Sequence, residues 1–163
     1  MSGSERSERM RRRMMNPWAF RAYLAGKLPL ALVAGLRLRR LDEAACTVSL
    51  PGGWRTRNPF ASTYFAAHLM AAEMATGAPA MVLVAGAPAS VALILREVRA
   101  VFTRRLQGEG LFTFDDVAGM RAAVERAAAG TESESYTGRP VGRAADGTVV
   151  SEFEISWSFK RRG

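Results

Sequence analysis

The chain has 163 residues, of which 48% are hydrophobic and 23% are charged, enough length and apolar content for one domain with a sizeable core. Its formal net charge is +8, but the first fifteen residues and the last four carry +3 each, which leaves only +2 for the rest. Because nucleic-acid-binding domains concentrate positive charge on a folded face beside a recognisable motif, charge confined to the two ends argues against specific nucleic-acid binding.

Residues 1–14 are polar and charged, with no periodic apolar pattern. They predict a disordered basic tail in front of a single domain at 15–163. The apolar run at 28–36 is too short to span a bilayer, and no small-residue cleavage site follows it. We therefore expect a cytoplasmic protein with no signal peptide and no membrane span.

A short helix and two strands are predicted next. Asn16 suits the N-cap of a helix with Pro17 at its first position, and Pro29 is expected to end that helix. Apolar and polar residues alternate in 35–42 and in 45–51, so this part is a hairpin or one bent strand.

Residues 58–77, "NPFASTYFAAHLMAAEMATG", consist almost entirely of small and apolar side chains and predict one long buried helix. Ser62 or Thr63 is the expected N-cap, and Gly77 and Pro79 are expected to end the helix.

Most of the second half predicts strands. Residues 81–86 predict either a buried strand or a continuation of the long helix. Residues 90–106 predict one or two strands, and residues 110–116 predict another. Residues 120–130 contain helix formers. The last segment, 134–162, predicts two strands around an Ala-Asp-Gly turn. In the final strand, alternate residues place one apolar row on one side: Val149, Ser151, Phe153, Ile155, Trp157 and Phe159.

These elements predict an α+β architecture in which one long helix lies against an antiparallel sheet of about five or six strands. A sheet with one apolar face needs a cover, and an apolar helix needs to be wrapped.

On these residues the sequence resembles the hotdog superfamily, in which a curled antiparallel sheet wraps a central helix. Its pattern is similar to that of the phenylacetate-type acyl-CoA thioesterases, which carry Asn, then Gly, then His-Gly-Gly, then an apolar stretch ending in Ala-Asp or Ala-Glu. Asn58 and Ala72-Glu73 match that pattern, Ala61 replaces the first Gly, and residues 64–66, Tyr-Phe-Ala, replace His-Gly-Gly. A bacterial branch of hotdog domains that favours Asn followed by Tyr-Phe-(Gly/Ala)-Ala is more similar still.

The resemblance implies hydrolysis of an acyl-CoA thioester, with Glu73 as general base or nucleophile and the Phe65 N–H polarising the carbonyl. It also implies that Asn58 orients water or substrate and that Arg104 and Arg105 approach the CoA phosphates. It implies no metal and no other cofactor. From the residues alone, Glu73 could instead be structural at a dimer seam, Asn58 a turn residue, and the two arginines an exposed strand end.

Spacing on the helix predicts a dimer. Phe65 and Glu73 are eight residues apart, about 12 Å along an α-helix, whereas a base and a carbonyl donor must both lie close to one reacting centre. A second copy related by a two-fold axis can bring one helix start beside the other chain's Glu73. We therefore expect a homodimer or higher homo-oligomer.

Three further residues are assigned from their positions on or near this helix. Tyr64 and Thr76 are candidate substrate-binding residues; Tyr64 would narrow the mouth of the site, and Thr76 either bonds to Glu73 or back-bonds to its own helix. His68 faces away from Glu73 on the helix and is expected to be packed in the core or at the seam. The lone cysteine, Cys46, excludes an internal disulfide, and with the lone histidine it excludes a Cys/His metal cluster.

Two other functions remain open. A non-catalytic acyl- or lipid-binding domain would keep the same fold, and the bulky Tyr64 and Phe65 at the expected mouth favour it. A structural dimerisation domain would need no ligand at all.

Overall fold

The computed structural model describes residues 2–163. Its helices are α1 (Gly3–Met15), α2 (Pro17–Lys27), α3 (Pro29–Ala34), α4 (Phe65–Gly86) and α5 (Val117–Ala129). Its strands are β1 (Arg37–Leu41), β2 (Cys46–Leu50), β3 (Val91–Phe102), β4 (Gly110–Phe114), β5 (Glu134–Gly138), β6 (Val141–Ala144) and β7 (Val149–Arg161). A short 3-10 turn lies at Trp54–Thr56.

The strands form one open antiparallel sheet in the order β1-β2-β4-β6-β7-β3, and β5 pairs with β7 beyond the end of β6. Strand β7 is the centre of this arrangement, and the predicted row on its inner face is buried at Phe153, Ile155, Trp157 and Phe159. Helix α4 contacts β2, β3, β4, β6 and β7, so the sheet curves around it. The predicted helix-on-sheet architecture is confirmed, with seven strands in the described residues.

Helix α4 differs from the prediction at both ends. It begins at Phe65 with Tyr64 as N-cap, so neither Ser62 nor Thr63 caps it, and it continues through Pro79 to Gly86. Residues 77–80 are all buried, so their packing outweighs the backbone hydrogen bond that proline removes. The helix has the length and hydropathy of a membrane span, but 56% of its apolar window is buried inside the fold, as in a core helix.

The expectation of a disordered tail is wrong for residues 3–14, which form most of α1; Met1 lies outside the described residues. Ser2 caps this helix, and α1 packs along the C-terminal half of α4. The Arg6 side chain donates to the Ala85 carbonyl at 2.9 Å, and the Ser7 hydroxyl donates to the Val82 carbonyl at 3.1 Å. Although α1 is rich in arginine, one of its faces is apolar and packs on the fold, with Met14 buried there.

The other elements follow the prediction with local changes. Asn16 caps α2 by accepting from the N–H groups of Trp18 and Ala19, but Pro29 starts α3 as well as ending α2. Residues 35–51 form a β1–β2 hairpin. The segment 134–162 contains three strands, because Arg139 and Pro140 separate β5 from β6.

Replacing Met14 by alanine tests whether α1 belongs to the fold. Removing this buried side chain should lower the free energy of unfolding by about 2 kcal/mol or more. The neighbouring Arg13 is exposed, so Arg13→Ala should have little effect. Chemical denaturation measures both variants. Equal stability of the two would mean that α1 is not docked on α4 in solution.

Candidate functional site

The loop before α4 is shaped by Asn58. Its Oδ1 accepts from the N–H groups of Phe60 at 3.0 Å and Ser62 at 3.1 Å, and its Nδ2 lies 3.0 Å from the Ser62 hydroxyl. Within this loop Ala61 has φ +58°, in the left-handed region that favours glycine. Both polar groups of Asn58 are therefore engaged in holding the turn.

The first turn of α4 has unpaired backbone donors. The Tyr64 N–H donates to the Thr56 carbonyl at 2.7 Å, and the Ala67 N–H donates to the Tyr64 carbonyl. No side chain caps the helix, and within residues 2–163 the N–H groups of Phe65 and Ala66 have no acceptor. These two N–H groups lie at the positive end of the helix dipole, so the helix start can stabilise a negative oxygen.

A cavity of about 540 Å³ lies at this helix start. We call it the start cavity, and it brings together five of the predicted site residues: Asn58, Tyr64, Phe65, Arg104 and Arg105. The Tyr64 and Phe65 rings meet edge to face at 4.7 Å, and each is about half exposed. Both arginines are exposed and make no ion pair within residues 2–163.

His68 also lines the start cavity, although the sequence predicted only a packed or seam residue. The residue is buried, and its Nδ1 lies 3.0 Å from the Ser151 hydroxyl. Burial lowers the pKa of His68 to about 4, so the ring is neutral at pH 7. Its Nε2 makes no hydrogen bond within residues 2–163, and the ring is part of the cavity lining.

Glu73 lies in a second cavity, of about 230 Å³, which we call the Glu73 cavity. Its lining is mainly apolar and includes Tyr23, Leu28, Leu93 and Trp157. The carboxylate is half-buried and has no hydrogen bond or ion pair within residues 2–163. Burial raises the pKa of Glu73, and burial together with the charge of Glu73 raises the pKa of Tyr23.

Gly77 and Thr76 shape the wall of this cavity. A Cβ at Gly77 would lie 3.0 Å from a Glu73 carboxylate oxygen and 3.5 Å from the Trp157 ring, so glycine leaves room for both side chains. The Thr76 hydroxyl donates to the Glu73 backbone carbonyl at 3.0 Å and accepts from the Trp157 Nε1–H at 3.0 Å. Thr76 therefore back-bonds to its own helix and orients Trp157, and it makes no hydrogen bond to the carboxylate.

Cys46 is not a nucleophile in this fold. It is fully buried in β2, and burial raises the pKa of its thiol to about 12, so the thiol stays protonated.

The two cavities lie near opposite ends of β3. Phe102, at the end of this strand, lines the start cavity, and Leu93, near its beginning, lines the Glu73 cavity. Strand β3 is at the edge of the sheet, and among residues 2–163 it pairs only with β7. Within one chain, the start of α4 and the Glu73 carboxylate are therefore separated. They lie towards opposite ends of the unpaired edge of β3.

The chain belongs to a family described as a domain of unknown function, DUF4442, whose model matches residues 16–158. No curated protein sequence matches the chain significantly.

Solved structures confirm the hotdog fold. A protein of unknown function and probable thioesterase, PA5026 of Pseudomonas aeruginosa, is similar with a TM-score of 0.71 and 20% identity, over 92% of this chain and 99% of that chain. The thioesterase HI1161 of Haemophilus influenzae is similar with a TM-score of 0.66 and 10% identity, over 90% of this chain and 91% of that chain. The protein OLEI01261 of unknown function from Chlorobaculum tepidum is similar with a TM-score of 0.74 and 10% identity, over 91% of this chain and 98% of that chain.

The setting of Glu73 predicts a pH-dependent gain in stability for Glu73→Gln. Because the folded pKa of this carboxyl is raised, the native protein loses stability as the pH rises from the unfolded pKa, about 4.3, through the folded pKa. Glutamine keeps the size and removes the charge. The variant should therefore be more stable than wild type at pH 7, by about 1 kcal/mol or more, and should lose this advantage towards pH 4.

Denaturation curves at both pH values measure the difference. The matched control is Glu125→Gln, which neutralises an exposed carboxylate on α5 and should show no comparable gain at pH 7. If Glu73→Gln is no more stable than wild type at pH 7, the carboxylate is solvated or paired in solution.

Proposed function

We propose that the protein is a homodimeric hydrolase of acyl thioesters, with acyl-CoA as the substrate class. The observation that carries this proposal is the arrangement of two incomplete half-sites. An unpaired carboxylate lies in one cavity, free backbone donors lie in the other, and the unpaired β3 edge runs between them. Probable thioesterases among the structural relatives support the same activity.

The β3 edge can complete these half-sites. Antiparallel pairing of two copies about an axis near the middle of β3 places Leu93 of one chain opposite Phe102 of the other. That register joins the Glu73 cavity of each chain to the start cavity of its partner. It also pairs Ile94, 58% exposed, with the partner's Val101, 54% exposed, and so buries two apolar side chains.

The surface of α4 supports the same seam. The helix is buried where it meets the sheet, but four residues at positions i, i+3, i+4 and i+7 are only partly buried: Ala66, Leu69, Met70 and Glu73. That spacing defines one stripe along a helix. A second α4, running in the opposite direction, would cover this stripe.

In the proposed reaction Glu73 acts as a general base on water. The water oxygen forms a bond to the thioester carbonyl carbon while Glu73 takes a proton, which gives a tetrahedral oxyanion. When the oxyanion collapses, the C–S bond breaks, and Glu73 returns the proton to the departing thiolate, so that a carboxylic acid and a thiol are released. Its raised pKa makes Glu73 a stronger base than an exposed glutamate. The Phe65 N–H of the partner chain stabilises the oxyanion that forms on the carbonyl.

Other residues of the start cavity hold the substrate. Arg104 and Arg105 are free to contact the CoA phosphates with their planar guanidinium groups. Tyr64 borders the mouth. We assign Asn58 to fixing the loop that presents the Phe65 N–H, because its side chain is already bonded within that loop.

A non-catalytic acyl-binding domain is the second candidate, and the Glu73 cavity favours it. Its mainly apolar lining, which includes Tyr23 and Leu28, suits an acyl chain and requires no chemistry.

Release of free thiol from a panel of acyl-CoA substrates separates the two candidates. Wild type should hydrolyse at least one substrate, and Glu73→Gln should fold but lose that activity because an amide is not a base. Thermal shifts with CoA and with the same acyl-CoA substrates are measured in parallel. Stabilisation without turnover would identify a binder, and the absence of both would leave a structural dimerisation domain.

Mixed dimers test whether the site is shared. Glu73→Gln lacks the base and Phe65→Pro lacks the N–H donor, so each homodimer should be nearly inactive. Proline fits at this position, because Phe65 is the first helical residue, its N–H is unpaired, and Tyr64 before it is extended at ψ 135°. Refolded together in equal amounts, about half of the dimers should be mixed, with one intact site each, so activity should return to about a quarter of wild type.

Light scattering must first show that both variants dimerise and that the chains exchange. If they do and no activity returns, the Phe65 N–H and Glu73 do not meet across the interface, and the proposed mechanism is wrong. Monomeric wild type would have the same consequence.

A further inference from the structure

A third cavity lies on the outside of the molecule, where α1, α2 and the free edge of β1 meet. Its volume is about 450 Å³, within the range of small-molecule sites. Its wall includes the buried side chains of Met14 and Phe20 and the partly buried Met15 and Leu38. Trp18, 82% exposed, stands at its margin. The floor is therefore apolar and the groove is open on one side.

Three arginines complete the lining of this cavity, which we call the arginine groove: Arg21 from α2, and Arg37 and Arg39 from β1. Arg39 is already engaged, since it donates to the Ser49 hydroxyl and to Glu109, each at 2.9 Å. Arg21 and Arg37 are exposed and have no hydrogen bond or ion pair from their side chains within residues 2–163. No acidic side chain is part of the lining, so two positive charges remain uncompensated beside an apolar surface.

From this combination we infer that the arginine groove binds a single-chain amphipathic anion, a long-chain carboxylate in the first instance. The chain lies along Met15, Leu38 and Trp18, where it removes apolar surface from water. The carboxylate lies between Arg21 and Arg37, whose guanidinium groups match its two oxygens. A fully polar anion would leave the floor unused, and a neutral lipid would leave both charges unpaired.

The groove is separate from the sites used in the proposed hydrolysis, and the inference does not depend on that reaction. Met14 and Phe20 line both the arginine groove and the Glu73 cavity, so these two side chains form the wall between them. Glu73 and the start of α4 do not line the groove. A ligand in the groove should therefore bind equally well to Glu73→Gln.

Calorimetric titration of the full chain with dodecanoate, below its micelle concentration, tests the assignment. Wild type and Glu73→Gln should both bind dodecanoate, whereas acetate and dodecyltrimethylammonium should not bind. The double variant Arg21→Gln, Arg37→Gln should bind about tenfold more weakly, as expected for the loss of two partly exposed charge-assisted contacts. Both arginines are exposed, so circular dichroism should show an unchanged fold.

The matched control removes the same charge elsewhere, as Arg161→Gln with Arg162→Gln at the exposed C-terminal end, and should bind like wild type. If both double variants bind dodecanoate equally weakly, net charge alone explains the loss of affinity, and the assignment is overturned. Unchanged binding by the Arg21, Arg37 variant would place dodecanoate elsewhere. Arginine-dependent binding to phosphatidylglycerol vesicles without binding of dodecanoate would make the occupant a membrane headgroup, and would also overturn it.

Discussion

Helix α4 is apolar over most of its surface and must be covered for the chain to fold in water. The curved sheet covers one side with the inner rows of β2, β4 and β7, and α1 covers the C-terminal half of the other side. Burial of this helix is why the sheet is curved and why an arginine-rich N-terminal segment is a docked helix. The stripe that contains Glu73 is only partly covered, and it is the part of α4 that the proposed dimer would bury.

The sequence predicts most of this fold because its strongest patterns are local. The alternation in β7 and the apolar run of α4 each determine what an element buries, and the architecture follows from the two together. Tertiary packing decides where local rules fail. Pro79 and Gly77 are ordinary helix terminators that remain inside α4 because both are buried there. In β3, the bulge at Arg96 shifts the alternation, so that Leu95 and Val98 lie opposite the buried Trp157 and Ile155 of β7.

The candidate site is less predictable because its geometry depends on residues far apart in sequence. The sequence placed Asn58 before the helix and Phe65 near its start, although the predicted N-cap was one or two residues too early. The link from His68 to Ser151, 83 residues away, leaves no sequence signal. Ala61 is a different case. It stands where the resembling thioesterases carry glycine, and its backbone has the positive φ that glycine adopts freely. Ala61 therefore carries the strain of a Cβ in a conformation that glycine would adopt freely.

The position of Glu73 shows why a carboxylate can persist in the core helix. A buried ionised group without a partner is costly, and several neighbours maintain the niche around it: Gly77 by lacking a side chain, and Thr76 by anchoring Trp157. The Tyr23 hydroxyl, which belongs to the same cavity, donates to the Met81 sulfur at 3.6 Å and does not satisfy the carboxylate. A purely structural glutamate would gain stability from a bond to that hydroxyl. The packing instead leaves the carboxylate without a partner among residues 2–163, which is the arrangement that the proposed general base requires.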